Sequence, residues 1–247
     1  ENNLSIRDDY NKFVRDIRKM RDKTTMIRYE ISKKYLKGRG LEIGAFHAPT
    51  PLADGCEADY LDQMSIDDIK TRFPKYEDYY CVYPNIIENG ELLISIEDNK
   101  YDFLIANHMI EHTENVFKTI QNHLRVLKKG GILYYAVPDK RFTFDKNREL
   151  TTYEHLKAEY LYGSENYRYE HFLDFVTNVQ NVKEEKEASK VAKKLSEEGL
   201  DTHFHVWTSE TFIDHIKKAI DDKILNIEIL EHTHKNDIES ITILKKL

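Results

Sequence analysis

The sequence predicts a three-layer α/β sandwich with a mostly parallel, seven-stranded sheet, N-terminal helices and a helical insertion after strand five. Short apolar runs typical of buried strands alternate with segments that repeat apolar residues at helical spacing, as in parallel sheets with helices on both faces. The best-defined strand is YDFLIANH at 101–108, and an amphipathic helix follows it at about 116–127. Two last apolar runs, at 224–233 and 238–247, indicate a closing antiparallel pair.

The first half of the chain is assigned from apolar spacing and from the residues that interrupt it. Apolar residues at helical spacing over residues 4–37 predict one or two helices that cap the sheet or the mouth of a site. Gly38 and Gly40 end this region. The elements that follow are a first strand at 41–46, a second at 56–62, a helix at 64–73 and a third strand or extended piece at 79–87.

The second half contains the insertion and the closing elements. The glycines of KKGG, residues 128–131, are expected to end the helix before strand five at 130–138. Ser209 is expected to cap a later helix. We expect a single domain over 1–247, with a helical cap at 1–37, a core at 38–138, an insertion at 139–208, and a closing helix and strands at 209–247.

Composition and charge limit the class of partner. Of the 247 residues, 40% are hydrophobic, which is enough for one large α/β domain. The formal net charge is −7 and no block of five like charges occurs, which disfavours a nucleic-acid partner. No run of 18 apolar residues exists, and the first ten residues lack the pattern of a signal peptide. We therefore expect a cytoplasmic protein with no membrane partner and with Cys56 and Cys81 reduced.

The stretch LEIGAFHAP, residues 41–49, places an acid and one glycine at the end of the first strand. A dinucleotide needs the several glycines of GxGxxG so that the backbone can approach its pyrophosphate, and residues 45–49 lack them. A ligand without phosphate at this place tolerates the difference. Asp62 ends the second strand, 18 residues after Gly44.

Four motifs in order resemble the class I, Rossmann-like S-adenosylmethionine-dependent methyltransferases over about residues 38–140. They are LEIGA with its acid and glycine, then Asp62, then YDFLIANHMIEH, and finally LRVLKKGGILYYAVPD. In the last motif Lys129 stands where the family usually has proline. The resemblance implies a Rossmann-like fold, S-adenosylmethionine as cofactor and methyl transfer as the reaction.

The resemblance also implies which residues bind the cofactor. Glu42 is expected to organise the loop or the ligand's ammonium group, and Asp62 to bind the ribose. Segment 88–92 lies where the family contacts adenine. The predicted cofactor-binding residues are Glu42, Gly44, Ala45, Asp62, Asn89, Gly90, Glu91, Asn107 and His108. The alternative for the two acids is that they are ordinary strand-end carboxylates, and His47 has no assigned role.

Histidines follow the fourth strand at a spacing that places them on one face of a helical turn. His108 and His112 are four residues apart, with Glu111 between them, and this differs from the HExxH zinc motif. His112 is predicted to be a general base toward the acceptor, because an imidazole titrates near neutral pH. Asp139 is predicted to be catalytic beside it. The alternative is that one of the histidines caps or packs the loop.

HFHVW, residues 203–207, places two further histidines on the same side of an extended segment. His203 and His205, with Asp139, His112, and His155 or His171, are candidates for a divalent-metal or anion-binding site. Imidazole suits zinc, manganese or iron better than magnesium. For any single histidine, a solvated or core position is the alternative.

PDKRFTFDKNR, residues 138–148, with the later HFHVWT resembles a bacterial subset of these methyltransferases associated with surface-polysaccharide pathways. The expected acceptor is an oxygen of a sugar, a nucleotide-linked or a phosphorylated metabolite, and Lys140, Arg141 and Arg148 are candidates to hold its anionic group. Two alternatives stay open, a nicotinamide-dependent sugar-nucleotide enzyme and a non-catalytic methyltransferase-like subunit.

Overall fold

The computed structural model describes residues 2–19, 21–235 and 238–247. The helices are α1 (Asn2–Asp16), α2 (Lys23–Tyr35), α3 (Ile66–Arg72), α4 (Val116–Val126), α5 (Tyr153–Tyr162), α6 (Arg168–Asn178), α7 (Glu185–Glu198) and α8 (Ser209–Asp221). The strands are β1 (Arg39–Ile43), β2 (Glu57–Asp62), β3 (Ile86–Ile87), β4 (Tyr101–Asn107), β5 (Leu127–Pro138), β6 (Ile227–Thr233) and β7 (Glu239–Lys246). The insertion supplies α5, α6 and α7.

The seven strands form one sheet in the order β3-β2-β1-β4-β5-β7-β6. The neighbours from β3 to β5 are parallel, and β7 runs antiparallel to both β5 and β6. This confirms the predicted fold class and the closing antiparallel pair. The strand order reverses between β1 and β4, and in open α/β sheets ligands bind at the carboxyl edge near such a point.

Buried clusters lie on both faces of the sheet, because successive side chains of a strand point to opposite sides. On one face, Phe117 of α4 and Ile216 of α8 belong to the same cluster as Leu104 of β4. On the other face, Ile31 of α2 belongs to the same cluster as Phe103. Helix α2 therefore packs on the sheet, as expected for the N-terminal cap.

The segment around KKGG differs from the prediction. Helix α4 already ends at Val126, and residues 128–131 lie within β5 and do not cap the helix. The pairing of β4 with β5 jumps from Tyr101–Leu127 to Phe103–Ile132, so the extra residues form a bulge. Gly130 has a φ of +77°, a left-handed conformation that favours glycine, and this explains the pair of glycines better than a helix end does.

Two further boundaries are corrected. Thr208, and not Ser209, caps α8, because the Thr208 hydroxyl accepts from the N–H of Thr211 while the Thr211 hydroxyl accepts from the N–H of Thr208. The third strand is confined to Ile86–Ile87 at the sheet edge. Within the described ranges, none of the helices combines the length and the apolar character that a membrane span requires.

Candidate active site

Three neighbouring strands end side by side at the carboxyl edge of the sheet. The register pairs the last residues of β1 with those of β2 and β4, so Gly44, Asp62 and Asn107 lie in one row. Adjacent strands are about 4.8 Å apart, so this row spans roughly 10 Å. The structure thus brings together three residues that were predicted to bind the cofactor from distant parts of the sequence.

Thr50 fastens the loop that follows β1. Its backbone N–H donates to Glu42 Oε1 at 2.7 Å, and its hydroxyl accepts from the side-chain amide of Asn107 at 2.7 Å. Both Thr50 and Glu42 are buried. Burial raises the pKa of Glu42 to about 7, although the hydrogen bonds from Thr50 oppose this shift. Glu42 therefore organises the loop, and its contact with a ligand's ammonium group stays a prediction.

The backbone at Gly44 faces open space. Its φ is +67°, and a Cβ added there would meet no heavy atom within 4 Å. Ala45, in contrast, is buried in one cluster with Val14 of α1 and Tyr60 of β2. The close approach of backbone to ligand that was predicted for both residues is therefore sterically open at Gly44, while the side chain of Ala45 serves packing.

Asp62 borders a cleft of about 260 Å³ at the end of β2. The other lining residues are mostly apolar or aromatic, namely Phe46, Met64, Ile69, Phe73, Lys75 and Tyr76. Burial raises the pKa of Asp62, while its Oδ1 accepts from the N–H of Gln63 at 2.7 Å. A carboxylate beside an apolar cleft has the chemistry required to hold ribose hydroxyls next to a base.

His47 packs into an aromatic cluster beside this cleft. Its ring centroid lies 5.0 Å from that of Phe46, 4.9 Å from that of Tyr76 and 5.1 Å from that of Tyr79. Burial, assisted by nearby positive charges, lowers the pKa of His47 to about 4. His47 is therefore neutral at pH 7 and packs in the wall of the cleft. The sequence had assigned it no role.

The segment predicted to contact adenine follows β3. Asn89 Oδ1 accepts from the N–H of Glu91 at 2.8 Å and so closes the turn. A Cβ on Gly90 would lie 2.7 Å from Ile43 Cγ2, so only glycine allows this approach to β1. Burial raises the pKa of Glu91 to about 7, and its Oε2 accepts weakly from the Thr119 hydroxyl at 3.5 Å. All three residues have local roles, and their contact with adenine stays a prediction.

His108 belongs to a charged network that joins three elements at the carboxyl edge. Its Nε2 lies 2.6 Å from Glu239 Oε2. Arg28 of α2 donates to both carboxylate oxygens of Glu239, at 2.9 and 2.6 Å. Burial alone raises the pKa of Glu239, but the charges of Arg28 and His108 outweigh burial and hold this pKa below its usual range. The network fixes the N-terminal cap beside His108, whose contact with the cofactor stays a prediction.

His112 lies in the short turn after β4 and faces the end of the insertion. Its Nδ1 is 2.8 Å from Asp201 Oδ1, and its ring packs edge-on against that of His203 at 4.6 Å. About a third of its side chain is exposed. Burial lowers the pKa of His112, but the hydrogen bond to Asp201 and the charge of Glu111 raise it above 6.5 overall. A partly exposed imidazole held by a carboxylate has the geometry of a general base.

Glu111 is fully buried between the two histidines of this turn. In the part of the chain that the structure describes, neither of its carboxylate oxygens has a hydrogen-bond partner. Its Oε1 is 3.7 Å from His108 Nδ1, while its backbone carbonyl accepts from the N–H of Phe204 at 2.8 Å. A buried carboxylate without a hydrogen bond is costly, which makes Glu111 a candidate to meet a polar group of a ligand.

Asp139 directly follows β5, and its carboxylate is fully hydrogen-bonded within the chain. It accepts from the backbone N–H and the guanidinium of Arg141, and from the backbone N–H of Ser209 at 2.9 Å. Burial raises the pKa of Asp139, but these hydrogen bonds lower it below its ordinary value. The carboxylate therefore ties the end of β5 to the start of α8, and its predicted catalytic role stays a prediction.

The basic side chains considered for an anionic acceptor are all paired within the chain. Lys140 Nζ contacts the carbonyl of Arg148, and Arg141 also reaches Glu210. Arg148 is buried and donates to Asp145 at 2.8 Å and to Asp174 at 2.6 Å. These contacts fold the start of the insertion and leave the three cations in structural positions.

The histidines proposed as one metal site separate into two groups. His112 and His203 lie with Glu111, and His155, His171 and His205 surround Glu159. Asp139 belongs to neither group. Both groups lie beside the segment 203–207, which contacts the turn after β4.

Three contributors were missed from the sequence. Thr50 and Asp201 act through contacts with residues far along the chain, and nothing local marks them. Glu159 had a usable signal, because it lies four residues after His155 and so on the same helical face.

Comparison with known proteins identifies the domain. A family model described as a methyltransferase domain matches residues 36–219. The uncharacterized protein MJ1123 of Methanocaldococcus jannaschii is 30% identical over 139 residues, which make up 53% of this chain and 62% of that protein. The chain therefore spans less than two thirds of the length of that relative.

Two solved structures to which the chain is similar are described as S-adenosylmethionine-dependent methyltransferases. The protein from Aquifex aeolicus is 10% identical with a TM-score of 0.49, covering 96% of this chain and 98% of that one. The protein from Methanosarcina mazei is 20% identical with a TM-score of 0.48, covering 89% and 98%. Because the family model matches most of its length, the chain belongs to the methyltransferase-domain family, in agreement with the predicted methyltransferase class.

Proposed function

We propose that the chain transfers the methyl group of S-adenosylmethionine to an oxygen of a small polar acceptor. The observation that carries this proposal is the row of Gly44, Asp62 and Asn107 at the carboxyl edge of the sheet. The row offers an acid for the ribose, an open backbone at one glycine and a polar side chain on the neighbouring strand. These three features suit the three parts of the cofactor. The apolar cleft beside Asp62 is the place for adenine.

The acceptor side lies next to this row, at the turn after β4. An acceptor oxygen attacks the methyl carbon in line, the bond between carbon and sulfur breaks, and S-adenosylhomocysteine leaves as the neutral thioether. His112 takes the proton of the acceptor hydroxyl, and Asp201 orients the imidazole and stabilises its protonated form. Positioning of the two reactants provides most of the acceleration in such a step.

An oxygen acceptor is favoured by the presence of a general base. A neutral hydroxyl is a weak nucleophile and needs a base to take its proton as it is methylated, whereas a neutral amine is nucleophilic enough to attack without a base. The formal net charge of −7 favours a small molecule over a nucleic acid. The resemblance of residues 138–148 and 203–208 to the polysaccharide-associated subset supports a sugar, nucleotide-linked or phosphorylated metabolite of a bacterial surface-polysaccharide pathway.

A product screen tests this function. The protein is incubated with S-adenosylmethionine and a panel of sugar-nucleotides and phosphorylated metabolites, with and without manganese, and mass spectrometry detects the gain of one methyl group. We expect one acceptor class to be methylated by the native chain and not by His112→Gln. Binding of S-adenosylhomocysteine without any turnover would favour the non-catalytic subunit, and binding of NADH in its place would favour the nicotinamide-dependent enzyme.

A further inference from the structure

The insertion brings three histidines and one glutamate to a single point. His155 and Glu159 lie one turn apart on α5, His171 lies on α6, and His205 lies in the segment before α8. One ligand atom of each residue is within 4.8 Å of those of the other three. Glu159 and His205 are fully buried, and His171 is nearly so.

The distances between the ring nitrogens and the carboxylate oxygen in this cluster are similar to those between neighbouring ligand atoms of a metal site. His155 Nε2 and His171 Nε2 are 3.3 Å apart, and Glu159 Oε1 lies 3.1 Å from the first and 2.7 Å from the second. In a tetrahedral zinc site with bonds of about 2.0–2.1 Å, neighbouring ligand atoms are roughly 3.3 Å apart. The two distances that involve His155 match this spacing within about 0.2 Å, and the distance from His171 Nε2 to Glu159 Oε1 is shorter by about 0.6 Å.

His205 completes the set from the other side of the carboxylate. Its Nε2 lies 2.8 Å from Glu159 Oε2, and its ring is stacked on that of Trp207, with 6° between the ring planes. The rings of His171 and His205 are nearly perpendicular, at 77°, with centroids 4.9 Å apart. Three imidazoles that converge from different directions on one carboxylate present their nitrogens toward a common centre.

The buried negative charge of Glu159 also favours a cation at this point. Among the described residues, its carboxylate forms ion pairs with histidines and with no lysine or arginine. A buried carboxylate needs a positive partner, which here is either a protonated histidine or a metal ion. The two ring nitrogens of His155 and His171 face each other and the same oxygen of Glu159, so one metal ion at this point would accept lone pairs from all three atoms.

We propose that His155, Glu159, His171 and His205 bind one divalent transition-metal ion, with zinc as the best match, and that this ion holds the insertion together. Three imidazoles and one carboxylate are ligands that zinc prefers, and a site with four protein ligands is the pattern of structural zinc. The ion ties α5, α6 and the segment before α8 to one another. A cleft of about 230 Å³ lined by His155 and His171 provides the route of entry.

The second histidine group is a weaker candidate for the same ion. Glu111, His112 and His203 offer three ligands, and each histidine there already has its own carboxylate partner. His112 pairs with Asp201 at 2.8 Å, and His203 pairs with Asp145 at 2.6 Å. Those pairs hold the imidazole nitrogens in separate hydrogen bonds, so we assign the ion to the cluster around Glu159.

Metal content is the direct test, and it does not depend on methyl transfer. The native chain, purified without chelator and analysed by plasma mass spectrometry, is expected to contain about one zinc per chain. His155→Gln is the least disruptive ligand change, because a quarter of that side chain is exposed, and we expect it to weaken zinc binding at least tenfold. His203→Gln and His232→Gln are matched controls outside the cluster and should retain the zinc.

The melting temperature of the native chain provides a second test, which stays informative if a ligand variant folds poorly. Chelator-treated native chain should melt several degrees Celsius lower than the untreated chain and recover when zinc chloride is added, because an ion that binds only the folded state stabilises it. The double variant His155→Gln/His171→Gln should show no response to zinc. A chelated native chain that takes up no zinc at micromolar concentration, or that melts identically with and without it, would overturn the proposal in favour of a hydrogen-bonded cluster.

Discussion

His112 and Asp201 are 89 residues apart in the chain and are joined by a contact of 2.8 Å. The histidine belongs to the turn after β4, and the aspartate belongs to the end of the insertion. The pair holds the end of the insertion against the turn after β4, where the proposed base lies. The backbone contact from Phe204 to Glu111 reinforces the same junction.

Loss of His112 should therefore remove the base without removing the cofactor. We expect His112→Gln to lower kcat/KM by roughly 10²–10⁴-fold while the affinity for S-adenosylhomocysteine stays the same. The rate of the native enzyme should rise with pH through a midpoint above 6.5, because the pKa of His112 is raised and the base acts in its neutral form. Asp201→Asn should move that midpoint to lower pH. A pH–rate profile that Asp201→Asn leaves in place would contradict the assignment.

Glu42 should make stability depend on pH in a defined direction. Its pKa is about 7 in the folded chain against an ordinary 4.5, so the folded state binds the proton more tightly and the contribution of Glu42 to stability is lost as pH rises from about 4.5 to 7. Glu42→Gln cannot ionise. Between pH 5 and pH 8, the free energy of unfolding of this variant should rise relative to that of the native chain by on the order of 2 kcal/mol, measured by urea unfolding. Glu57→Gln, at the exposed start of β2, is the control, and an equal gain there would refute the account.

Arg28 should be essential for the charged network at the carboxyl edge. Arg28→Met leaves Glu239 buried without its guanidinium, which should cost about 3–5 kcal/mol of unfolding free energy at pH 7. The cost should shrink as pH falls and Glu239 takes up a proton. Lys34→Met provides the comparison from the same helix, because Lys34 forms an exposed ion pair with Glu231. Equal effects of the two substitutions would show that the network is not coupled to folding.

Gly90 should be intolerant of a side chain because of β1. A Cβ at this position would lie 2.7 Å from Ile43 Cγ2, so Gly90→Ala should destabilise the chain by about 1–3 kcal/mol. Ile43→Ala removes the clashing methyl at its own cost. The double variant should be less destabilised than the sum of the single ones, and strict additivity in a double-mutant cycle would argue against the clash.

The parts of the fold that the sequence predicted well are those with local signals. The run YDFLIANH and the apolar spacing of α4 correspond to β4 and α4 within one or two residues. KKGG was misassigned because a glycine pair at a helix end and one in a bulge have the same local composition. The distinction depends on how β5 pairs with β4, which is a long-range property.

For the candidate site too, residues with local sequence signals were predicted, and residues placed by long-range packing were not. Asp62 and Gly44 were predicted as neighbours from spacing and resemblance, and the parallel register places them side by side. Asp201 and Thr50 were not predicted, because their roles come from packing of the insertion and of the β1 loop. The histidines of the insertion were predicted as metal-ligand candidates, but their fourth partner, Glu159, was missed although it lies one helical turn after His155.

The central claim is that the row at the carboxyl edge binds S-adenosylmethionine through Asp62. Isothermal titration with S-adenosylhomocysteine tests it most directly, with Asp67→Ala, an exposed acid at the start of α3, as the matched control. We predict micromolar binding by the native chain and by the control, and at least tenfold weaker binding by Asp62→Ala. No binding by the native chain, or equal binding by all three proteins, would contradict the claim.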